Sequence, residues 1–348
     1  MLGIGIVGCG SIARNRHIPA YLKNQDVELV AYYDPVFDRA KELETLYGGK
    51  ACHSLEEMLE IKEVNCVSVC TPEAYHEKPV CKALFAGKHV LCEKPMALDC
   101  EQAKRMKEAA DKTGNILMIS YNQRVYEPHW KAKELIQQGA IGRVLSFRTF
   151  LSNSGPEYVI YGAEKGKPNL TYYDHSKNGG VLLSVGCHRF DLIPFLLEQP
   201  IEAVFAETMT LDKHKSDGAR IEEEDTAMIL LKCGGGIYGM MYTSWCVYGC
   251  TDRKTEIFGT EGTIKTFEDP YSVVVYKKSG EKVYYDMSAF EESGSASGMA
   301  VVDRFIDGVR KGDRPFIPAE DGVRSMKVLD AIKESARLKQ WVAIESLL

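Results

Sequence analysis

The sequence lacks long apolar runs, blocks of basic residues and closely paired cysteines. No stretch of the 348 residues approaches the roughly 18 consecutive apolar residues of a membrane span. The net charge is -6 and no block of Lys and Arg occurs, which argues against a nucleic-acid partner. The 11 cysteines include no C-x-x-C pair, so we expect reduced thiols in a cytoplasmic protein. The short apolar start runs directly into a glycine turn, so we expect no signal peptide.

That glycine turn follows the first apolar strand and precedes a helical pattern. Residues 8–13 spell G-x-G-x-x-A, between a predicted strand at 3–7 and a predicted helix at 11–24. In this context the turn lets the backbone approach a pyrophosphate, which the N–H groups at the start of the helix bind. The residues that we expect to contact a dinucleotide here are Gly8, Gly10, Ser11, Ile12 and Ala13.

Asp34 stands directly after the second predicted strand, at 27–33. It follows the turn at about the 20-residue distance where a carboxylate binds the ribose hydroxyls of an adenosine. A carboxylate repels a 2′-phosphate, and Pro35, Val36 and Phe37 are not basic, so we expect NAD rather than NADP. The alternative is that Asp34 caps the helix beginning near Val36.

Strands and helices alternate through the first third of the chain. Further strands are predicted at 65–70, 89–92 and 116–120, and helices at 55–61, 77–86 and 100–113. Such alternation predicts a parallel sheet with helices on both faces and a ligand site at the carboxyl ends of its strands. The loops at those ends carry Thr71, Pro72, Glu93 and Lys94.

After residue 123 the pattern changes to strands separated by turn signals. The predicted strands are 143–152, 203–211, 226–233, 237–245, 254–259, 263–267, 273–277 and 282–285. The predicted helices are 127–139, 181–197, 300–311 and 320–341. We therefore expect an α/β fold with a Rossmann dinucleotide-binding domain at 1–122. An α+β domain with a large, mostly antiparallel open sheet follows at 123–348, and its last helix packs back toward the first domain.

Over essentially its whole length the chain resembles the glucose–fructose oxidoreductase, inositol dehydrogenase and rhizopine-catabolism family, Gfo/Idh/MocA. The matching segments are 5–13 (GIVGCGSIA), Asp34, 70–72 with His76, 86–95 (AGKHVLCEKP), 178–191 (NGGVLLSVGCHRFD), 258–263 (FGTEGT) and 319–322 (AEDG). The resemblance implies NAD(P)-dependent oxidation or reduction of sugars or polyols, and a cofactor-loop position for His76. It also implies a homodimer or homotetramer formed through the sheet of the second domain.

Lys94 and His188 are the residues that the proposed chemistry requires. Oxidation of a secondary alcohol needs a group that stabilises the developing alkoxide and a group that takes the hydroxyl proton. Lys94 follows a strand end, where an ammonium lowers the pKa of the hydroxyl, and its family counterpart has that role. His188 is the candidate general base, because an imidazole titrates near neutrality. The alternatives are a surface lysine in a turn and a satisfied core histidine.

Ser184 departs from the family pattern, in which an aspartate commonly precedes the histidine by four residues. Ser184, His188 and Asp191 share one helical face if the spacing is regular. Asp191 is therefore a third catalytic candidate, which could orient the imidazole or bind substrate hydroxyls. Asp191 or Asp174 could supply the missing carboxylate.

Further polar side chains are candidates for the substrate pocket. Arg124 could reach cofactor phosphate or an anionic substrate, or it could form a salt bridge between the domains. Tyr173 and Asp174 lie in a loop rich in aromatic and hydrogen-bonding side chains, which suit a sugar. Loop tyrosines are also common packing residues. We expect no metal site, because neither an H-x-x-x-H motif nor carboxylates at ligand spacing occur.

The sequence thus favours an NAD-dependent oxidoreductase acting on a sugar, an inositol-like polyol or a glycoside. One alternative is a redox-neutral glycosidase, in which tightly bound NAD oxidises a hydroxyl transiently and a glycosidic bond is then eliminated. The other alternative is a non-catalytic NAD-binding sensor. The presence of both Lys94 and His188 disfavours the sensor.

Overall fold

The computed structural model describes residues 1–156, 173, 179–215, 217–287 and 295–347. Within these ranges the chain forms two β-sheets, one parallel and one mostly antiparallel, each packed against helices. The predicted fold class is confirmed. Asp174 lies outside the described residues, as does most of the aromatic loop that contains it. In the described part of the chain, every helix is too short or too polar to cross a membrane.

The first sheet has six described strands, all parallel, in the order β3-β2-β1-β4-β5-β6. They are β1 Leu2–Val7, β2 Val27–Tyr33, β3 Lys50–Cys52, β4 Val64–Val69, β5 His89–Cys92 and β6 Leu117–Ile119. The strand order reverses between β1 and β4, which pair with each other at the centre of the sheet. The crevice at the carboxyl ends of these two strands is where open α/β sheets bind ligands.

Helices cover this sheet, and several have clear local signals at their ends. They are α1 Ile18–Lys23, α2 Phe37–Tyr47, α3 Leu55–Leu59, α4 Glu77–Phe85 and α5 Cys100–Thr113. The Asp99 side chain caps α5 by accepting the Gln102 N–H at 2.8 Å, and Gly114 ends it in the left-handed region. A π-helical turn, Ala13–His17, precedes α1 and replaces the regular first turn that the sequence predicts.

The second sheet contains nine described strands in the order β14-β13-β12-β11-β7-β10-β9-β8-β15. They are β7 Val144–Ser152, β8 Ile201–Met209, β9 Thr226–Cys233, β10 Ile237–Ser244, β11 Thr255–Gly259, β12 Gly262–Glu268, β13 Tyr271–Lys277, β14 Lys282–Tyr285 and β15 Val342–Ala343. Strands β7 and β10 pair in parallel and the other neighbours pair antiparallel. The short strands β3 and β15 are absent from the sequence-based prediction.

The helices of the second half are α6 Glu127–Gln137, α7 Cys187–Leu197, α8 Ser295–Lys311 and α9 Ala319–Leu338. Helix α9 packs on β8 and also on α5 and β6 of the parallel-sheet half. Gly322 allows this approach, because a Cβ there would lie 2.4 Å from Met96 Sδ and 3.1 Å from Ile119 Cγ1. The same helix therefore holds both halves of the molecule together.

Candidate active site

The glycine turn leaves room for a ligand directly above the first strand. Gly8 has φ +87°, and a Cβ on it would lie 2.9 Å from the backbone of Cys70 and Thr71. Only glycine fits this close approach of β1 to the end of β4. A Cβ on Gly10 would meet nothing within 4 Å, so the backbone there borders open space. Glycines at these two positions fit a dinucleotide whose pyrophosphate lies against the turn.

Asp34 is buried at the end of β2, and both of its carboxylate oxygens accept backbone hydrogen bonds. Oδ2 accepts the Cys9 N–H at 2.8 Å, and Oδ1 accepts the Val36 N–H at 2.9 Å. The carboxylate therefore fixes the glycine turn and closes a local turn at Val36, but it does not cap α2 (Phe37–Tyr47), whose N-cap residue is Val36 and which has no side-chain cap. The Arg39 guanidinium lies 3.8 Å from Oδ1. Asp34 thus has a basic neighbour, although Pro35, Val36 and Phe37 are not basic.

The His76 ring contacts both the loop after β4 and the loop after β5. Its Nε2 lies 2.8 Å from the Thr71 carbonyl oxygen, and its Nδ1 lies 3.0 Å from the Pro95 carbonyl oxygen. The ring is buried, and burial lowers its pKa, so the neutral form donates to one of these carbonyls at a time. His76 thus supports the loops, whereas Thr71 and Pro72 lie at the surface of their loop.

Lys94 reaches from the parallel-sheet half to the other half of the molecule. It follows β5 and is joined to Pro95 by a cis peptide bond. Its Nζ donates to the Ser184 carbonyl oxygen at 3.0 Å. Ser184 lies in a second π-helical turn, Leu182–Gly186, directly before α7. Such turns interrupt regular helices and are frequent at functional sites.

His188 lies one helical turn beyond Ser184, at the start of α7. The side chain is half-buried, yet its Nδ1 is enclosed and has no hydrogen-bond partner among the described residues. Nε2 is therefore the ring nitrogen that faces the open side. Burial lowers the pKa of His188 well below its ordinary value, and the positive charges of Lys94, Arg16 and Arg189 add to the effect. The imidazole is consequently neutral near pH 7.

Asp191 and Arg124 pair with each other inside the protein. Arg124 Nε donates to Asp191 Oδ2 at 2.7 Å, and Nη2 donates to Oδ1 at 2.5 Å. The third nitrogen, Nη1, lies 2.7 Å from Asp321 Oδ2 at the start of α9. Arg124 thus forms salt bridges, but its partners lie with it in the predicted second domain, so these ion pairs do not join the two domains. The described hydrogen bonds of the Asp191 carboxylate go to Arg124 and not to His188.

Two further candidates occupy different surroundings from those the sequence suggests. The Ser184 hydroxyl donates to the Gly180 carbonyl oxygen at 2.6 Å, four residues back in its own helix. Tyr173 is buried and packs edge-on against Trp245, with ring centroids 5.8 Å apart. It belongs to a small apolar cluster with Val181 and Ile221.

Glu73 is a buried acid that is not among the site residues predicted from the sequence. It begins the 3-10 turn Glu73–Tyr75 after β4, and its side chain makes no hydrogen bond to another described residue. Burial raises its pKa to about 7, although the charge of Lys94 lowers it. The signal in the sequence was an acidic residue directly after Thr71-Pro72, at the carboxyl end of a predicted strand.

Glu93 is ionised and supports the Lys94 loop from below. Burial acts to raise its pKa, but the His17 hydrogen bond and the charges of His17, Arg16 and Lys94 hold the pKa at about 2. Its Oε1 lies 2.9 Å from His17 Nε2.

Among the described side chains, no group of His, Cys, Asp or Glu is arranged to hold a metal ion.

A parallel sheet with a glycine turn at its switch point is typical of a nucleotide-binding protein, and the Lys94 ammonium, whose charge acts on the neutral His188 imidazole, adds a pair of candidate acid–base groups. Comparison with known families gives the identity of the class. Residues 2–121 match the oxidoreductase family with an NAD-binding Rossmann fold, and residues 129–265 match the GFO/IDH/MocA C-terminal domain. The chain belongs to the Gfo/Idh/MocA family of oxidoreductases, as its motifs predict.

Individual relatives match along nearly the full length. The chain is 29% identical to myo-inositol 2-dehydrogenase of Thermotoga maritima and 25% identical to inositol 2-dehydrogenase of Rhizobium meliloti. The first alignment covers 99% of this chain and 99% of the relative, and the second covers 98% of each. A crystal structure of a probable dehydrogenase from Thermotoga maritima has a TM-score of 0.83 at 28% identity, with full coverage of both chains. Levoglucosan dehydrogenase with NADH and levoglucosan shares the fold, with a TM-score of 0.86 at 23% identity over 99% of each chain.

Proposed function

We propose that this protein is an NAD-dependent dehydrogenase that acts on a secondary alcohol of a sugar, an inositol-like polyol or a glycoside. The observation that carries the proposal is the contact of Lys94 Nζ with the Ser184 carbonyl at 3.0 Å, one helical turn before His188. In this proposal an ammonium from one half of the chain and an imidazole from the other border the same substrate pocket. The relatives named inositol 2-dehydrogenase support a polyol substrate.

The two side chains have complementary roles in this proposal. The Lys94 ammonium binds the hydroxyl oxygen and stabilises the negative charge that develops on it. His188 accepts the hydroxyl proton at Nε2, and its lowered pKa keeps that nitrogen unprotonated and ready at neutral pH. In the opposite direction the imidazolium returns the proton to the oxygen. Asp191 has no part in proton transfer, because its carboxylate is held by Arg124.

The residues of the turn fit a nicotinamide dinucleotide. Gly8, Gly10 and the helix start at Ser11 would bind the pyrophosphate, and Asp34 would bind the adenosine ribose through lone pairs its backbone bonds leave available. When bound, the cofactor supplies the site that accepts hydride from the alcohol carbon. Asp34 is the basis for proposing NAD over NADP. We also propose that the domain boundary lies at 122/123, in the 3-10 turn Asn122–Val125 that follows β6.

A screen of NAD reduction across inositols, hexoses and simple glycosides tests the function. We expect NADH to form with at least one polyol, and Lys94→Ala and His188→Ala each to lower turnover about 100-fold or more while NAD still binds. Near-normal turnover in either variant would remove that residue from the mechanism. Glycoside cleavage without net NADH would indicate the redox-neutral reaction, and tight NAD binding without turnover would indicate a sensor.

Ser184→Asp tests whether the site is a weakened form of the usual one. The substitution places a carboxylate one turn before His188, where it would stabilise the imidazolium and raise its pKa. We expect faster polyol oxidation and a pH–rate profile shifted to higher pH. Slower oxidation with a raised KM would instead indicate that the serine itself contacts the substrate.

The exposed face of the second sheet supports a homo-oligomer. Met228 and Leu230 on β9 and Tyr238 and Met240 on β10 are exposed, and Leu230 stands directly opposite Met240. Phe205 on β8 continues the same row beside Leu230. Apolar side chains in such a row indicate a protein–protein contact. Light scattering should give a dimer or tetramer, and Leu230→Lys should dissociate it; a monomeric wild type would refute this assignment.

A further inference from the structure

A chain of buried polar side chains runs beneath the candidate site, from α1 to the Lys94 loop. The Tyr21 hydroxyl lies 2.6 Å from Ser68 Oγ, which lies 3.1 Å from His17 Nδ1. His17 Nε2 lies 2.9 Å from Glu93 Oε1, and Glu93 Oε2 accepts the Lys94 backbone N–H at 3.1 Å. The first four of these residues are buried. Together they connect the helical segment after the glycine turn (residues 13–23), strand β4 and the loop after β5.

We propose that His17 is a positioning residue for Lys94, which it acts on through Glu93. This inference rests on the proposed role of Lys94. His17 ends the π-helical turn Ala13–His17, so it is fixed to the same helix start that faces the glycine turn. The imidazole holds one oxygen of the Glu93 carboxylate while the other oxygen holds the Lys94 backbone. The glycine turn that we expect to bind the cofactor and the Lys94 ammonium are therefore positioned by the same chain of hydrogen-bonded side chains.

The charges around Glu93 make this support depend on the imidazole. Arg16 and Lys94 face the carboxylate with positive charge, and Glu73 faces it with an acidic side chain. The other titratable groups that interact with its charge are His76, His188, Cys70 and Cys92. His17 is its hydrogen-bonding partner within the buried region, and a buried carboxylate that loses its partner becomes a stronger base. Replacement of His17 by an apolar residue should thus let Glu93 take up a proton, and the neutral carboxyl group is then a weaker acceptor for the Lys94 N–H.

The test compares full-length His17→Leu, His17→Gln and the double variant His17→Leu/Glu93→Gln, using NAD+ and the alcohol most active in the screen. In His17→Leu we expect kcat to fall about 100-fold, with KM for the alcohol changed much less. Its pH–rate profile should gain an ionisation between about pH 5 and 9 that wild type lacks. The double variant should lose that ionisation, and His17→Gln, whose amide can still donate to Glu93, should recover most of kcat.

A crystal structure of His17→Gln and His17→Leu with NAD+ gives a readout that does not depend on turnover. We expect the contact between Lys94 Nζ and the Ser184 carbonyl, 3.0 Å in wild type, to persist in the Gln variant and to be lost in the Leu variant. If His17→Leu does not fold, His17→Asn takes its place, because its shorter amide can replace Nδ1 beside Ser68 but cannot reach Glu93, so the same added ionisation is expected. A His17→Leu enzyme with kcat within a few-fold of wild type, or with lowered kcat but an unchanged pH profile, would overturn the inference. A wild type that oxidises no alcohol would refute the proposed function, whereas the Lys94 contact in the variants would still decide the role of His17.

Discussion

Glu73→Gln should make the folded protein more stable at neutral and alkaline pH. Glu73 is buried at the end of β4, where its carboxylate is removed from water without a hydrogen bond to another described residue. Burial raises its pKa from the ordinary 4.5 to about 7, against the opposing charge of Lys94. A glutamine has nearly the same shape and carries no charge, so the variant keeps the packing and removes the ionisation.

The size and sign of the effect follow from proton linkage. Between pH 4.5 and about 7 the folded state binds more protons at Glu73 than the unfolded state does, so wild-type stability falls as pH rises. One pKa unit corresponds to about 1.36 kcal/mol, so the total loss is of the order of 3 kcal/mol. Below pH 4.5 the carboxyl is protonated in both states and the two proteins should be nearly equal in stability. Above about pH 7 the variant should keep the full advantage.

Urea unfolding of wild type and Glu73→Gln between pH 4 and 9, without cofactor, measures this difference directly. Glu28→Gln, at an exposed position of β2, is the matched control, and a surface change of this kind should alter stability by no more than about 0.5 kcal/mol. A difference between wild type and Glu73→Gln that is constant with pH would refute the reasoning. So would a difference that favours wild type above pH 7, since both results would mean that the ionised carboxylate is well accommodated.

Three further experiments test the cofactor turn, the interior ion pairs and the cofactor preference. Gly10→Ala should leave the melting temperature unchanged and weaken NAD binding roughly tenfold or more, whereas Gly8→Ala should cost roughly 2 kcal/mol of stability; equal effects on both properties would contradict this. Arg124→Gln, which leaves the buried Asp191 carboxylate unpaired while Asp321 keeps Arg324, should cost about 3–5 kcal/mol in urea unfolding. Arg105→Gln, at an exposed pair, should cost about 0–1 kcal/mol, and a similar loss for both would argue against the buried network. Arg39→Ala should raise KM for NADP+ and leave KM for NAD+ nearly unchanged; an unchanged ratio would show that this guanidinium does not reach the 2′-position.

The elements that the sequence predicts best are those with strong local signals. The bounds of β2, β5, β9, β14 and α5 are the predicted ones, because period-2 or helical patterning, caps and turns all agree there. By contrast, β3 and β15 span three and two residues. Elements of that length have no usable periodicity and exist through pairing with β2 and β8, which only the folded chain provides.

The candidate site was predictable in its position and less so in its contacts. The motifs predict a site at the ends of β1, β4 and β5 and at the start of α7, and the contact of Lys94 with Ser184 brings the last two of these places together. The spacing of Ser184, His188 and Asp191 assumed 3.6 residues per turn, whereas the structure has a π-helical turn at Leu182–Gly186. The partner of Asp191 is 67 residues away in sequence, and no helical spacing argument can identify a partner so distant.

The acids of the site show why a carboxylate at a sheet edge is a poor guide to ligand contact by itself. Asp34, Glu93 and Asp191 each stand where the sequence suggests a ligand, and each is bound by groups of the protein: two backbone N–H groups, an imidazole with a backbone N–H, and a guanidinium. This is the expected outcome for a buried charge, which must find partners before it can serve a ligand. Among these four carboxyl groups, Glu73 makes no hydrogen bond to another described residue. Burial raises the pKa of Glu73 to about 7 and that of Asp191 to about 6, but Asp191 is paired with Arg124, whereas the opposing charge near Glu73 is that of Lys94. We therefore expect the protonation of Glu73, more than that of the other three acids, to respond to what binds beside Lys94.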